Sequence, residues 1–290
     1  MAERKWSGKT GGGSFGQKAM IAIFNIVDVA VIYPTLFFIV PFYMVINGKE
    51  CLCILKYMHK IQGFNIIKSF FMTFWNHVLF GMMMLDRFAI YSGQKSRFKI
   101  ETDGIEAFNK LIDREKGFML AGAHVGNFEM AGYELHQDKK RINAVVFGGE
   151  TAAVQSNRSK VMQANSIRMV PVSSDMSHIF IIKAALDNGD VVSMPCDRVF
   201  GSSKSIELDF LGHKAKFPIG GFVMAEKMDV AMLGVFVFKT SLRGYKVYVR
   251  PLGDNKAENY AKELGILLKE YPCQFFNYYD FWELNKTCRK

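Results

Sequence analysis

The residues best placed to do chemistry lie in the stretch Ala121–Leu135, AGAHVGNFEMAGYEL. His124 follows a short apolar run. Gly126, Asn127 and Glu129 come next, and asparagine is a residue type suited to capping a helix. A neutral imidazole can take the proton of a hydroxyl as that hydroxyl attacks a carbonyl. A carboxylate on the other ring nitrogen fixes the tautomer and stabilises the imidazolium. Five helical steps turn about 500°, so one helix through both residues would set His124 and Glu129 roughly 140° apart. They can meet only if His124 sits in a turn and Glu129 in the first turn of the following helix, a bend that Gly126 makes easy. A plain hydrogen-bonded His–Glu pair at a strand-to-helix junction is the alternative. No serine or cysteine nucleophile is needed if the acceptor hydroxyl attacks directly, and the G-x-S-x-G turn of the α/β-hydrolases is absent.

Strand–helix alternation would position this block. From about residue 97, short apolar runs at 117–123, 142–148, 167–172, 190–195, 206–210, 230–238 and 244–251 read as strands. Helical patterns separate them at 104–115, 127–136, 151–165, 176–187 and 217–228, and another follows at 255–270. This predicts an α/β fold, a layered mixed sheet flanked by helices, over residues 97–290. Three segments precede it. Residues 1–18 read as a flexible basic tail, 19–47 as a membrane-attachment segment, and 48–96 as an apolar helical arm. Asp28 is the lone charge in 19–47, whose length matches a bilayer span. Pro34 and Pro41 would kink that span or fold it into a one-leaflet hairpin. Residues 64–91 carry Lys68, Asp86 and Arg87 among many Phe and Met residues, which predicts an amphipathic or buried helix.

The chain has 290 residues, a formal charge of +10 and 50% hydrophobic residues, with a mean hydropathy of +0.07. That composition excludes a disordered or collagen-like chain. A basic, apolar protein of this kind implies a surface that meets anionic lipid or an anionic substrate. Nucleic acid is a poor fit, because the basic residues are scattered and the aromatics sit among apolar neighbours. Five cysteines with no C-x-x-C pair, and no His/Cys ligand spacing, imply neither a disulfide framework nor a metal site.

The H-V-G-N-F-E block resembles the H-x-x-x-x-D/E motif of the glycerolipid and lysophospholipid acyltransferases. More closely, it is similar to the H-x-G-N-W/F-E form in the late (lauroyl/myristoyl) acyltransferases of lipid A biosynthesis. The segments NSIRMVPV, NGDVVSMPCDRVFG, FLGHKAKFPIGGFVMAEKMDVAML and YPCQFFNYYDFW follow in an order resembling that family. The resemblance implies a membrane-attached acyltransferase of the glycerolipid-acyltransferase fold, at a bacterial inner membrane with its catalytic domain on the cytoplasmic side. Its donor would be an acyl thioester on acyl carrier protein or coenzyme A, with no further cofactor. Its acceptor would be a glycolipid such as a lipid A precursor, on the path to lipopolysaccharide, with a lysophospholipid or amino-acid lipid as the alternative. His124 would be the general base and Glu129 its orienting partner. Arg168 would contact substrate near the reacting centre, with Arg158 competing for that role. Asp197 would be the acidic partner of that arginine, and Asn127 a helix cap and substrate contact. A non-catalytic membrane scaffold is the alternative of another class, and it has no need of His124 and Glu129.

Overall fold

The computed structural model describes residues 13–135, 139–147, 167–173, 175–199 and 204–283. The helix expected over 151–165, and Arg158 with it, lie outside these residues.

Runs of buried apolar residues build the sheet. β2 (Phe118–Gly122) is buried at its first four residues and β8 (Met232–Lys239) at all eight. Such continuous apolar runs mark strands covered on both faces. Beside them lie β1 (Lys99–Asp103), β3 (Ile142–Phe147), β4 (Ile167–Val172), β5 (Val191–Pro195) and β9 (Gly244–Pro251). The order is β1-β9-β8-β2-β5-β3-β4. β8, β2, β5, β3 and β4 run parallel, whereas β9 is antiparallel to β8. A separate hairpin pairs β6 (Ser205–Phe210) with β7 (His213–Pro218). This is the expected layered α/β architecture.

The N-terminal residues form an arm of helices rather than one straight span. α1 (Gly13–Phe24) ends in a bend, and Asp28 caps α2 (Val29–Ile32) by accepting from the Ala30 N–H at 2.8 Å. Pro34 lies in a 3-10 turn at Tyr33–Thr35, and Pro41 sits inside α3 (Leu36–Ile46), where it removes one helix hydrogen bond. α4 (Gly48–Lys56) and a π turn lead to α5 (Ile66–Tyr91), which opens on Asn65 as its cap. Among the described residues, Val29–Ile46 is the one stretch long and apolar enough to cross a membrane, and 22% of it is buried inside the fold. Phe38, Phe42 and Val45 are each more than two-thirds exposed, and Ile67, Phe70 and Phe71 extend the apolar surface along the start of α5. The rest of α5 is amphipathic and buries Val78, Met82, Met83 and Ile90. α3 crosses α5 closely at Gly81, where a Cβ would come within 2.8 Å of Leu36.

One buried ionic cluster locks the arm to the sheet. Asp86 of α5 pairs with Lys239 of β8 at 2.7 Å and accepts from the hydroxyls of Tyr33 and Tyr245. Asp28 adds a second tie at the rim, pairing with Arg97 and with Arg243 at 2.7 Å. The C-terminal aromatics pack inward: Trp282 stacks on Tyr57 and on Phe210, each with ring centroids 5.5 Å apart.

Candidate active site

β2 and β5 are adjacent parallel strands that end together, with Gly122 opposite Pro195. Two residues beyond each end stand His124 and Asp197, which therefore face one another. Open α/β sheets place their binding sites at these carboxyl ends. The Asp197 carboxylate takes the His124 Nδ1 at 2.8 Å on one oxygen and the His124 backbone N–H at 3.0 Å on the other. The aspartate is fully buried, whereas the imidazole is one-quarter exposed. With Nδ1 held, Nε2 is the nitrogen left to exchange a proton with a substrate.

Gly126 makes the turn after His124 possible. Its φ of +47° is one that side chains disfavour, and a Cβ there would stand 1.7 Å from the Val237 carbonyl oxygen. The turn is also stitched to the C-terminal segment. Gly126 N–H donates to the Gln274 carbonyl and Phe276 N–H to the His124 carbonyl, both at 3.1 Å.

Burial alone would raise the Asp197 carboxyl. The His124 charge and hydrogen bond outweigh it, with help from Arg198 and Asn277, and hold it well below the usual carboxylate range. Asp197 thus stays ionised and can stabilise an imidazolium. Burial pushes the neighbouring Cys196 thiol up, away from nucleophilic use.

Glu129 stands in a different set of contacts from the one expected. It opens the short helix α7 (Glu129–Glu134), where it pairs with Arg87 Nε at 3.2 Å and accepts from the Tyr91 hydroxyl at 2.9 Å. The carboxylate on the imidazole is Asp197, and that corrects the expected orientation. Asn127 does not cap α7 with its side chain. It is buried, beside the Tyr245 hydroxyl of the Asp86 cluster. Arg168 lies exposed near the start of the edge strand β4, three strands from β2. Register sets it level with Met119, five residues short of His124. At ~4.8 Å per strand and ~3.3 Å per residue, the two are about 20 Å apart. That separation does not fit a contact at the reacting centre, nor Asp197 as the partner of Arg168.

An apolar cavity of about 80 Å³ runs from Phe128 and Glu129 into the space between α7 and the sheet, among Leu120, Leu135, Ile142 and Val235. The Phe128 ring, which lines this cavity, also lies edge-on to the His124 ring, with centroids 6.3 Å apart.

Sequence reasoning missed Arg198, Asn277, Arg87 and Tyr91. Arg198 Nε donates to the Asn277 side-chain oxygen at 2.6 Å, and the Asn277 amide donates to Asp197 at 3.0 Å. Arg198 follows Asp197 within the segment NGDVVSMPCDRVFG that carries the resemblance, so it was within reach. Asn277 lies in an aperiodic aromatic stretch with no such signal.

The model of the bacterial lipid A biosynthesis acyltransferases matches residues 66–267, more than half of the chain. The structure is also similar to the 1-acyl-sn-glycerophosphate (LPA) acyltransferase PlsC from Thermotoga maritima, at 13% identity and a TM-score of 0.38, covering 88% of this chain and 97% of that one. No curated protein sequence matches the chain. The matched span runs from α5 through the sheet and includes both His124 and Asp197. The chain belongs to the bacterial lipid A biosynthesis acyltransferase family, enzymes that transfer an acyl group to a lipid.

Proposed function

We propose that this acyltransferase moves a fatty acyl chain from the thioester of acyl carrier protein to a hydroxyl of a membrane glycolipid such as a lipid A precursor. The observation that carries the reading is His124, held on one nitrogen by a buried, ionised Asp197 and exposed on the other side. Nε2 takes the proton of the acceptor hydroxyl as its oxygen attacks the thioester carbonyl. The tetrahedral adduct then collapses, the C–S bond breaks, and the departing sulfur takes the proton from the imidazolium. Asp197 stays ionised throughout. The step balances with donor and acceptor alone, so we assign no further cofactor.

A fatty chain needs an apolar slot next to the reacting carbonyl, and the cavity of about 80 Å³ lined by Phe128 has room for only the first few carbons of one. Glu129, tied to Arg87 and Tyr91, lines that cavity and shapes it rather than moving the proton. The exposed apolar surface of α3 and early α5 attaches the enzyme to the bilayer that supplies its acceptor. We place it at a bacterial inner membrane with the dyad on the cytoplasmic side.

The test is whole-lipid mass spectrometry of cells lacking the gene, complemented with wild type or with His124→Ala. The expected outcome is one lipid class missing an acyl chain, restored by wild type and not by the variant, with a rate loss of about 10²–10⁴-fold in the purified variant. A lipid restored equally by both would overturn the reading. A lysophospholipid or an amino-acid lipid as the affected class would replace the glycolipid acceptor and leave the chemistry standing.

A further inference from the structure

After a 3-10 turn at Pro272–Gln274 the chain runs irregularly through Phe275–Tyr278, yet the side chains of Asn76 and Arg198 hold its backbone. The Asn76 amide of α5 donates to the Cys273 and Phe275 carbonyls, both at 3.0 Å. The Gln274 side chain brackets the backbone of Lys239, accepting from its N–H and donating to its carbonyl, each at 2.8 Å. Arg198 Nη2 donates to the Phe276 carbonyl at 2.9 Å. What this fixation delivers is Asn277, 2% exposed, against the far side of the dyad.

The chemistry of its neighbours sets the Asn277 amide one way round. A guanidinium can only donate, and an ionised carboxylate can only accept. The amide oxygen therefore faces Arg198 Nε and the amide nitrogen faces Asp197 Oδ2. Oδ2 takes two N–H donors, from Asn277 and from the His124 backbone, while Oδ1 is kept for the imidazole. Without the amide, the carboxylate loses a donor that sets its plane. It also loses the spacer that stands between it and Arg198. A direct arginine–carboxylate pair is a strong, charge-assisted one, and it would draw Asp197 off the ring.

We propose that Asn277 is a positioning residue of the acyl-transfer centre: it fixes the plane of the Asp197 carboxylate and keeps Arg198 from competing with His124 for it. The proposal rests on the reading of His124 as the base. Asn277 acts through Asp197 and need not touch the substrates.

The test uses the full chain in detergent micelles, with palmitoyl-coenzyme A as the donor probe and water as acceptor, following thiol release from pH 5 to 9. Asn277→Ala is expected to lower kcat on the order of 10–100-fold with little change in KM, as for a catalytic group displaced by a fraction of an ångström. Asn277→Asp is nearly isosteric and keeps the proposal testable if the alanine variant does not fold. The groups around Asp197 that bear charge or titrate are His124, Arg198, Tyr260 and Tyr279, with Cys196 beside it in the chain. Asn277→Asp sets a second carboxyl against the buried Asp197, and two carboxylates in contact cannot both ionise freely. Its rate profile should therefore gain a pH dependence that wild type and Asn277→Ala lack, which simple loosening of the fold would not produce. Loss of thiol release in His124→Ala, together with wild-type kcat and a wild-type pH profile in both Asn277 variants, would overturn the role of Asn277 alone. A wild-type rate in His124→Ala would overturn the acyl-transfer reading and this assignment with it.

Discussion

Asp86 and Asp197 are both fully buried carboxylates with a basic side chain within 2.8 Å, yet they serve opposite ends. Asp86 is closed on every side. Lys239 pairs with it and is itself 3% exposed, and the Tyr33 and Tyr245 hydroxyls donate one to each of its oxygens. The Lys239 ammonium also lies over the Tyr245 ring, 4.7 Å from its centroid. Burial pulls that ammonium below its ordinary value, with Asp86 opposing the fall. Asp197 is just as buried, but its partner is a quarter exposed and, among the described residues, its ring has a hydrogen-bond partner on Nδ1 alone. A buried ion pair is therefore no sign of chemistry by itself. The sign is a buried group that orders a second, titratable group whose free atom faces outward. The Asp86 cluster orders helices instead, joining α2–α3 and α5 to β8 and β9.

Breaking the sealed pair should cost stability, and breaking the open one should cost rate. Asp86→Ala leaves the Lys239 charge buried without its partner, and a loss of about 3–5 kcal/mol is expected in chemical denaturation. Replacing both partners, in Asp86→Leu with Lys239→Met, should recover the part owed to the unpaired ammonium and leave the cost of the Tyr33 and Tyr245 hydroxyls that lose their acceptor. A second test concerns the surface that the cluster holds in place. Deleting residues 1–47 would remove Tyr33 and uncover α5, so it cannot isolate membrane binding. Phe38→Asp with Phe42→Asp leaves the core intact. It should weaken sedimentation with anionic lipid vesicles at least tenfold, given about 1.5–3 kcal/mol for each buried phenylalanine. The smallest effect is expected at Glu129. Glu129→Gln keeps an acceptor for Tyr91 and Arg87, and it should change kcat only a few-fold, on the order of 1 kcal/mol. Its effect should fall mainly on KM and on preference for acyl-chain length. A Glu129→Gln variant as dead as His124→Ala would return the orienting role to Glu129.

The layered sheet was legible because its central strands are unbroken apolar runs. GFMLAGA and DVVSMP read as buried strands without ambiguity, and β2 and β5 lie within a residue of those limits. His124 was legible because a strand end, a histidine and a glycine turn form a local pattern. Its carboxylate was not, because Asp197 is 73 residues away and arrives through strand pairing. Glu129 drew attention by nearness in sequence, whereas the sheet register sets Asp197 opposite His124. Two residues past the ends of two neighbouring buried runs is the signal that would have found it, once β2 and β5 were known to be adjacent. Arg168 misled for the converse reason: a charge at a strand start lies at the opposite end of a parallel sheet from the site. The arm was legible as apolar and proline-broken, but its anchoring was not. Tyr33, Asp86, Lys239 and Tyr245 span four elements and share no local pattern.

The central claim is that His124 and Asp197 act as one unit in acyl transfer, and a double-mutant cycle tests it most directly. Thiol release from palmitoyl-coenzyme A would be measured for wild type, His124→Ala, Asp197→Asn and the double variant. Residues that act as a unit are strongly non-additive. We expect Asp197→Asn to lower kcat by at least about 10²-fold in the wild-type background and to change nothing further once His124 is alanine. Equal losses from Asp197→Asn in both backgrounds would mean that the two residues act separately, and would contradict the account.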